Sequence, residues 1–160
     1  MIKDKQLLAR MADEDLRTPG HDAIMVWLHE NVAEVMNGIY AQFNRSADMG
    51  PCPIFTSDDI HVTWEQPIRS GNIVGYVDML AATKNNGKVS FEVKTSIKSI
   101  GETIRQINTY RTYLRDQIFC IVSPDDRFIK ILKSQNILFV KAPPIGSGEG
   151  VSGFTQGGLF

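Results

Sequence analysis

A strict alternation of apolar and polar residues runs through the middle of the chain. In residues 88–97, positions 89, 91, 93 and 97 are apolar and share one parity, while polar residues fill most of the other. This period of two predicts a β-strand. Residues 73–80, rich in β-branched and aromatic side chains, precede the breaker run at 84–87 and predict the other strand of a hairpin. A further strand is predicted over residues 61–68, where Pro67 indicates a sheet edge.

Two other stretches repeat at helical spacing. Residues 19–43 predict a first helix, with Thr18 as N-cap and Pro19 in the first turn. Its apolar stripe, typical of a core face, consists of Met25, Leu28, Val32, Val35, Met36 and Ile39. Residues 99–115 predict a second helix whose sheet-packing side carries Ile104, Ile107, Tyr110 and Leu114.

The remaining elements complete an α/β pattern. Residues 117–122 predict a buried strand, residues 125–134 a short helix with Ser123 or Asp125 near its cap, and residues 137–140 a last strand. Because helices separate these strands, parallel pairing is favoured there. The predicted fold is an α/β sandwich in which helices flank a mixed central sheet.

Composition indicates one compact domain. With 160 residues, 42% of them hydrophobic, the chain can bury a core without disulfides or a structural metal. We expect a domain over residues 1–142 and a flexible Gly/Ser-rich tail over residues 143–160. Cys52 and Cys120 are expected to be free thiols in a reducing cytoplasm. There is no apolar run of ~18 residues and no signal-like start, so neither membrane insertion nor secretion is expected.

Three charged residues of the predicted hairpin are candidates for chemistry. Glu92 and Lys94 lie two positions apart and share a face, and the hairpin can bring Asp78 beside them. Two carboxylates this close repel each other unless a cation neutralises them. Mg²⁺ or Mn²⁺ prefers oxygen ligands, and the Val93 backbone carbonyl is a further candidate. Such an ion can acidify a water and stabilise a scissile phosphate, with Lys94 orienting the water or holding the phosphate.

Each of these residues also has an ordinary structural explanation. An acid and a Glu-x-Lys pair on a polar strand face are commonly solvated ion pairs that contribute little. Gln106 borders the apolar stripe of the second helix, one turn from Tyr110, and would lie near Glu92 and Lys94 if the helix packs over the strands. Taken alone, Gln106 is typical of a boundary residue and Tyr110 of a core aromatic.

Three short motifs nevertheless follow one another in a familiar order. They are Gly-x-x-Asp at residues 75–78, Glu-x-Lys at residues 92–94 and Gln-x-x-x-Tyr at residues 106–110. Together they resemble the PD-(D/E)XK nuclease superfamily, and within it the RecB-like branch, over residues 61–140. The resemblance implies a restriction-endonuclease-like fold, metal binding by Asp78 and Glu92, a catalytic Lys94, and support of substrate or site by Gln106. Val77 stands where the superfamily's name has proline, a position at which proline is widely replaced.

Supporting residues are less firmly indicated. The resemblance implies that the first helix adds an acid or a histidine in many relatives, and five candidates remain open there: His21, Asp22, His29, Glu30 and Glu34. The two glutamates fall opposite the apolar stripe, which favours solvent. Tyr110 is one supporting candidate of the site, and Glu65 is another. If Ile68 pairs with Ile73, Glu65 lies opposite Tyr76, on the face of Asp78.

Charge and the C-terminus suggest partners. The net charge of −1 does not indicate nucleic-acid binding, so a local basic bias would have to provide it: Lys94, Lys98, Arg105, Arg111 and Arg115. A solvated helix face is an equally open explanation. The last five residues resemble the short sliding-clamp-binding peptides of bacterial replication and repair proteins through Gln156, Leu159 and Phe160, although Gly157 departs from that pattern. A disordered tail, or one that packs on the domain, is the alternative.

The sequence therefore predicts a Mg²⁺- or Mn²⁺-dependent deoxyribonuclease in DNA repair, recombination, defence or mobile-element biology. The alternative is a catalytically inactive subunit of nuclease fold that binds DNA or serves assembly, although clustered carboxylates repel phosphate. Cleavage of RNA stays open, because no residue identifies recognition of a 2′-hydroxyl. A homodimer that cuts both strands is also open.

Overall fold

The computed structural model describes residues 18–42, 54–85 and 87–145 in full, and the backbone of residues 43–47. The elements in chain order are α1 (Pro19–Glu30), α2 (Val32–Ala47), a 3-10 turn (Ser57–Asp59), β1 (Ile60–Ser70), β2 (Asn72–Thr83), β3 (Lys88–Val93), α3 (Ile100–Tyr113), β4 (Ile118–Ser123), α4 (Ile129–Ser134) and β5 (Leu138–Lys141).

One five-stranded sheet organises these elements, in the spatial order β1-β2-β3-β4-β5. The first three strands pair antiparallel as a meander, because short turns connect them. The last three pair parallel, because α3 and α4 provide the crossovers between them. β3 is thus the strand at which the sheet changes from antiparallel to parallel, as the mixed sheet predicted from sequence requires.

Apolar side chains cover both faces of the sheet. On one face, α1 and α2 bury the predicted stripe against alternate strand residues such as Met79, Phe91 and Val122. On the other face, Ile107 of α3 and Leu132 of α4 pack on the intervening residues of β4 and β5. Strand residues alternate between faces, so β4 and β5 contribute to both layers, with Cys120, Val122 and Val140 on one face and Phe119, Ile121 and Phe139 on the other. The predicted α/β sandwich with flanking helices is confirmed.

The predicted first helix is in fact two helices. α1 ends at Glu30 and α2 begins at Val32, because Asn31 between them leaves helical geometry with φ −110° and ψ 14°. The Asn31 side-chain amide donates to the Trp27 carbonyl at 2.8 Å, a local bond with which asparagine competes against the helix ladder. The predicted start is correct, since the Thr18 side chain accepts from the His21 N–H at 3.1 Å.

Two predicted boundaries were wrong near β3 and β4. β3 ends at Val93, and Ile97, which was expected in the strand, lies in the following loop with its side chain buried in the second core layer. α4 begins only at Ile129, after Phe128 at its N-cap. Asp125 does not cap it; its N–H donates to the Ser123 side chain, which stabilises a turn before the helix.

The register of the first hairpin also differs from the prediction. Ile68 pairs with Gly75 rather than Ile73, because a register shift follows Ile68 and the strands continue almost to Gly71. Gly71 takes φ +73°, a conformation that favours glycine. β1 forms the sheet edge, as Pro67 indicated.

Other features concern the ends and the cysteines. Cys120 is a free, fully buried thiol, and burial raises its pKa far above the ordinary value. No helix in the described part of the chain has the length and apolar character that a membrane crossing requires. Cys52 lies outside the described residues, and so do Gln156, Leu159 and Phe160, the residues predicted to bind a sliding clamp.

Candidate active site

The candidate site lies where β2 and β3 part. Their backbone pairing ends at Met79 and Phe91, and the next residues in the same register are Asp78 and Glu92. Beyond this point the Asp78 carboxylate, through Oδ2, accepts the Val93 N–H at 2.8 Å. A side-chain oxygen therefore takes the role of a main-chain acceptor, and the strands can separate without leaving this donor unsatisfied.

A buried polar network surrounds Glu92. The Lys94 ammonium lies 3.2 Å from Glu92 Oε1, and the Gln106 side-chain amide donates to the same oxygen at 2.8 Å. Glu92 is 5% exposed and Lys94 is 8% exposed. Buried charges require partners of this kind, because desolvation otherwise opposes their ionisation. The structure thus brings Asp78, Glu92, Lys94 and Gln106 together.

Tyr110 closes the network on the side of α3. Gln106 Nε2 also donates to the Tyr110 hydroxyl at 3.2 Å. Burial raises the pKa of Tyr110 to about 12, and the charges of Glu92 and Asp78 act in the same direction, so the phenol stays protonated at neutral pH. A Cβ at position 75 would lie 2.8 Å from the Tyr110 ring, so Gly75 is required for this ring to pack against β2.

α1 contributes His21, one of the five candidates that sequence left open on the first helix. His21 Nε2 lies 3.5 Å from Asp78 Oδ2, and the residue is 7% exposed. Burial by itself lowers the pKa of His21, but the hydrogen bond with Asp78 and the negative charges of Asp78, Glu92 and Asp22 outweigh it and raise the pKa above 6.5. His21 Nδ1 is buried without a hydrogen-bond partner within the described ranges, with Asp22 Oδ1 at 3.8 Å.

The other four first-helix candidates are exposed. Asp22, Glu30 and Glu34 are exposed, as solvent-facing residues of the helices. His29 is exposed and stacks on Trp64 with ring centroids 5.2 Å apart. Sequence alone did not single out His21, because all candidates are polar residues of one segment and their placement depends on how α1 packs on the sheet.

The positions of Glu65 and Arg111 differ from those predicted. In the observed register Glu65 falls across from Asp78, not Tyr76; it has φ +48° and is exposed. Arg111, expected in a basic surface, donates instead to the carbonyls of Gln135 and Asn136 at the end of α4. Its guanidinium therefore caps α4, and the basic surface stays a prediction.

The donor set suits a hard cation better than a soft one. No three His, Cys, Asp or Glu side chains form a ready-made metal cluster in the part of the chain that the structure describes. Mg²⁺, however, is commonly held by one or two carboxylates, with waters and substrate phosphates completing its shell. Both contacts of Asp78 use Oδ2, so Oδ1 has no donor among the described residues and is available to a cation.

Comparison with known proteins gives partial similarities only. No protein-family model and no curated protein matches the chain. A repair endonuclease from Pyrococcus abyssi is 21% identical over 69% of this chain and 46% of its own, with a TM-score of 0.40. EndoMS in a complex with dsDNA is 19% identical over 80% of this chain and 47% of its own, with a TM-score of 0.48. The chain spans less than half the length of either solved structure, and these similarities assign it to no family.

Proposed function

We propose that this protein is a Mg²⁺- or Mn²⁺-dependent deoxyribonuclease with a site of the PD-(D/E)XK, RecB-like type. The observation that supports this best is the meeting of buried Asp78, Glu92 and Lys94 where β2 and β3 part. A surface that only binds DNA has no use for two buried carboxylates, because they repel phosphate. A site that binds a cation and then a phosphodiester needs them.

The residues present fit a divalent ion. Asp78, Glu92 and the Val93 carbonyl would hold it, and His21, which lies next to Asp78, would be the first-helix residue of the site, where the resemblance implies an acid or a histidine. When bound, the ion would stabilise charge on the scissile phosphate and lower the pKa of an attacking water.

The remaining roles belong to residues around Glu92. Gln106 limits rotation of the Glu92 carboxylate by donating to Oε1, and the protonated Tyr110 accepts from Gln106. Lys94 is a buried point charge next to the same oxygen, suited to hold the phosphate or orient the water. Each role can be removed by one substitution.

Cleavage assays test the proposal. Single-stranded, nicked and branched DNA, with an RNA of matched sequence, are incubated with Mn²⁺ and the wild-type protein, Asp78→Ala, Lys94→Ala and the control Lys84→Ala. Lys84 is an exposed lysine of the distal turn that pairs with Asp59, so its loss should leave cleavage unchanged. Wild type and control should cut DNA and the two site variants should not. Equal activity in all four proteins would identify a contaminant.

Calorimetry separates an enzyme from an inactive nuclease-fold subunit. The proposed enzyme binds Mn²⁺, and Glu92→Gln weakens that binding. An inactive subunit would show no ion binding that depends on Glu92.

We further propose DNA as the partner, in repair, recombination, defence or mobile-element biology. Residues 156–160, which resemble sliding-clamp-binding peptides, extend this proposal to a sliding clamp as a second partner. Deleting these five residues should abolish binding to the sliding clamp while DNA cleavage persists. If the deletion leaves the affinity for the clamp unchanged, or if the full chain does not bind the clamp, the proposal of clamp binding fails. Sedimentation with and without DNA tests the homodimer.

A further inference from the structure

A second polar cluster holds the loop that follows β3. Asp125 Oδ2 accepts the Ile97 N–H at 2.9 Å, and Arg127 Nη2 donates to the Ile97 carbonyl at 3.4 Å. Both backbone groups of one loop residue are thus bound by side chains that follow β4. We call Asp125, Arg127 and Ile97 the Ile97 clamp.

Hydrogen bonds to Arg127 and Ser123 fix the orientation of Asp125 within the Ile97 clamp. Arg127 donates to the two Asp125 oxygens through Nε at 2.7 Å and Nη2 at 2.6 Å. The side-chain hydrogen bond from Arg127 holds the pKa of Asp125 well below its ordinary value. The Asp125 N–H donates to Ser123 Oγ at 3.0 Å, and Ser123 is fully buried at the end of β4. Asp125 is therefore oriented by both its charge partner and its own backbone.

The clamped loop joins two parts of the candidate site. Lys94 begins it, with its N–H bonded to the Val122 carbonyl at 3.0 Å as the β3–β4 pairing ends. Ser99 ends it and caps α3, the helix that carries Gln106. Ile97 lies between them, and its side chain packs in the same core layer as Ile107 of α3. A displacement of Ile97 would therefore change the position of Lys94 relative to Gln106, the two residues that share Glu92 Oε1.

We infer that Asp125 is a positioning residue, which acts with Arg127 through Ile97 to set the placement of Lys94 against Gln106 and Glu92. The inferred effect on the cleavage rate rests on the proposed nuclease function. The inferred hydrogen bond from the Ile97 N–H to Asp125 does not, because hydrogen exchange at this amide can be measured in any folded protein. Misplacement of a reacting group by 1 Å can lower a rate about 10²-fold, so a small shift of the loop is expected to matter.

The neighbouring residue offers a matched control. Asp126 also forms an ion pair, with Lys141 at 2.6 Å, but its side chain is 47% exposed and forms no hydrogen bond with Ile97 in the described part of the chain. Asp126→Ala therefore removes an acid and an ion pair from the same turn while the clamp remains. Asp125→Ala removes the clamp, and Asp125→Asn keeps an oxygen that can accept the Ile97 N–H but loses the charge that binds Arg127.

Two measurements are made on these variants and on wild type. Amide hydrogen exchange should be at least about tenfold faster at Ile97 in Asp125→Ala, intermediate in Asp125→Asn and unchanged in Asp126→Ala. With Mn²⁺ and DNA, Asp125→Ala should lose about 10- to 100-fold in kcat with little change in KM, and Asp125→Asn should recover part of the loss.

The outcomes separate the inference from the proposed function. Unchanged exchange at Ile97 in Asp125→Ala, or a kcat no lower than that of Asp126→Ala, overturns the positioning role. If Asp125→Ala does not fold, Asp125→Asn decides, and wild-type values in both measurements overturn the role. If wild type cuts no DNA, the nuclease proposal and the inferred effect on rate both fail, whereas the exchange result still decides whether Asp125 holds Ile97.

Discussion

The two ends of the β2–β3 pair are held together by different kinds of contact. Towards their connecting turn, four successive residue pairs join the strands through the backbone, the last of them Met79 with Phe91. At the other end, the Asp78 carboxylate replaces the backbone and binds the Val93 N–H at 2.8 Å. The strands therefore remain joined at the turn end and part at the end where the charged residues lie.

This difference separates the stability of the fold from the proposed chemistry within one pair of strands. Val89 and Phe91 of the turn end are fully buried and contribute through apolar burial. Asp78, Glu92 and Lys94 at the open end are buried and charged, an arrangement that costs desolvation energy and is weak evidence for a stabilising role. Substitutions at the turn end should destabilise the fold, and substitutions at the open end should remove activity.

The largest effect is expected from Asp78→Asn. Asparagine retains an oxygen for the Val93 N–H but lacks the charge that a divalent ion requires, so DNA cleavage should fall at least about 10³-fold. The free energy of unfolding without metal should change by no more than about 1 kcal/mol, because the hydrogen bond can persist. Single-turnover cleavage and urea denaturation measure the two quantities. An Asp78→Asn protein that retains activity, or that does not fold, would contradict the proposed separation of stability and activity between the two ends of the strand pair.

The reciprocal substitution is Phe91→Ala, in the backbone-paired segment of β3, of which Phe91 is the last residue before the strands part. Loss of a fully buried phenylalanine should lower the free energy of unfolding by about 3–5 kcal/mol. The molecules that remain folded at low temperature should cut DNA at a near wild-type rate. Urea denaturation and activity per folded molecule test this, and a selective loss of kcat at full stability would show that the turn end also serves catalysis.

A smaller effect is expected at Gly75, where β2 meets Tyr110. A Cβ there lies 2.8 Å from the ring, so Gly75→Ala should cost about 1–3 kcal/mol by overpacking and lower cleavage by shifting the bonds from Gln106 to Glu92.

Double variants provide the control for this prediction. Adding Tyr110→Leu removes the ring and should restore part of the stability, whereas Tyr110→Phe keeps the ring and should not. Equal recovery by leucine and phenylalanine, in thermal unfolding, would contradict the steric explanation.

The smallest effect concerns pH. The folded pKa of His21 is raised above its unfolded value, so its contribution to stability is complete below about pH 6.5 and is lost as pH rises through the folded pKa. In EDTA, the wild type should therefore lose more stability than His21→Asn between pH 6 and pH 8. His29→Asn is the control, because His29 is exposed and stacks on Trp64, and it should behave like wild type. Identical slopes in all three proteins would contradict the proposed charge coupling to Asp78.

Local patterns were sufficient to predict much of this arrangement. Alternation over β3 and helical spacing over α3 depend only on neighbouring residues, and they predicted both elements and the border position of Gln106. The side-chain period of two also predicted that Glu92 and Lys94 share a face, and both contact one network in the structure.

The features that sequence did not predict depend on contacts between distant segments. The choice of His21 among five first-helix candidates depends on how α1 lies on the sheet. The register that places Glu65 across from Asp78 depends on an irregularity after Ile68, which alternation alone does not reveal. The bond between Asp125 and Ile97 joins residues 28 positions apart and has no local signature.

A crystal soaked in Mn²⁺ and measured at the manganese absorption edge tests the central claim most directly. We predict one strong anomalous peak between Asp78 and Glu92, at roughly 2.1 Å from their oxygens and from the Val93 carbonyl, and no such peak in Asp78→Asn crystals. A wild-type crystal without manganese at this position, and with Glu92 still bonded to Lys94 and Gln106 as in the metal-free protein, would contradict the account of this site as a metal-dependent nuclease.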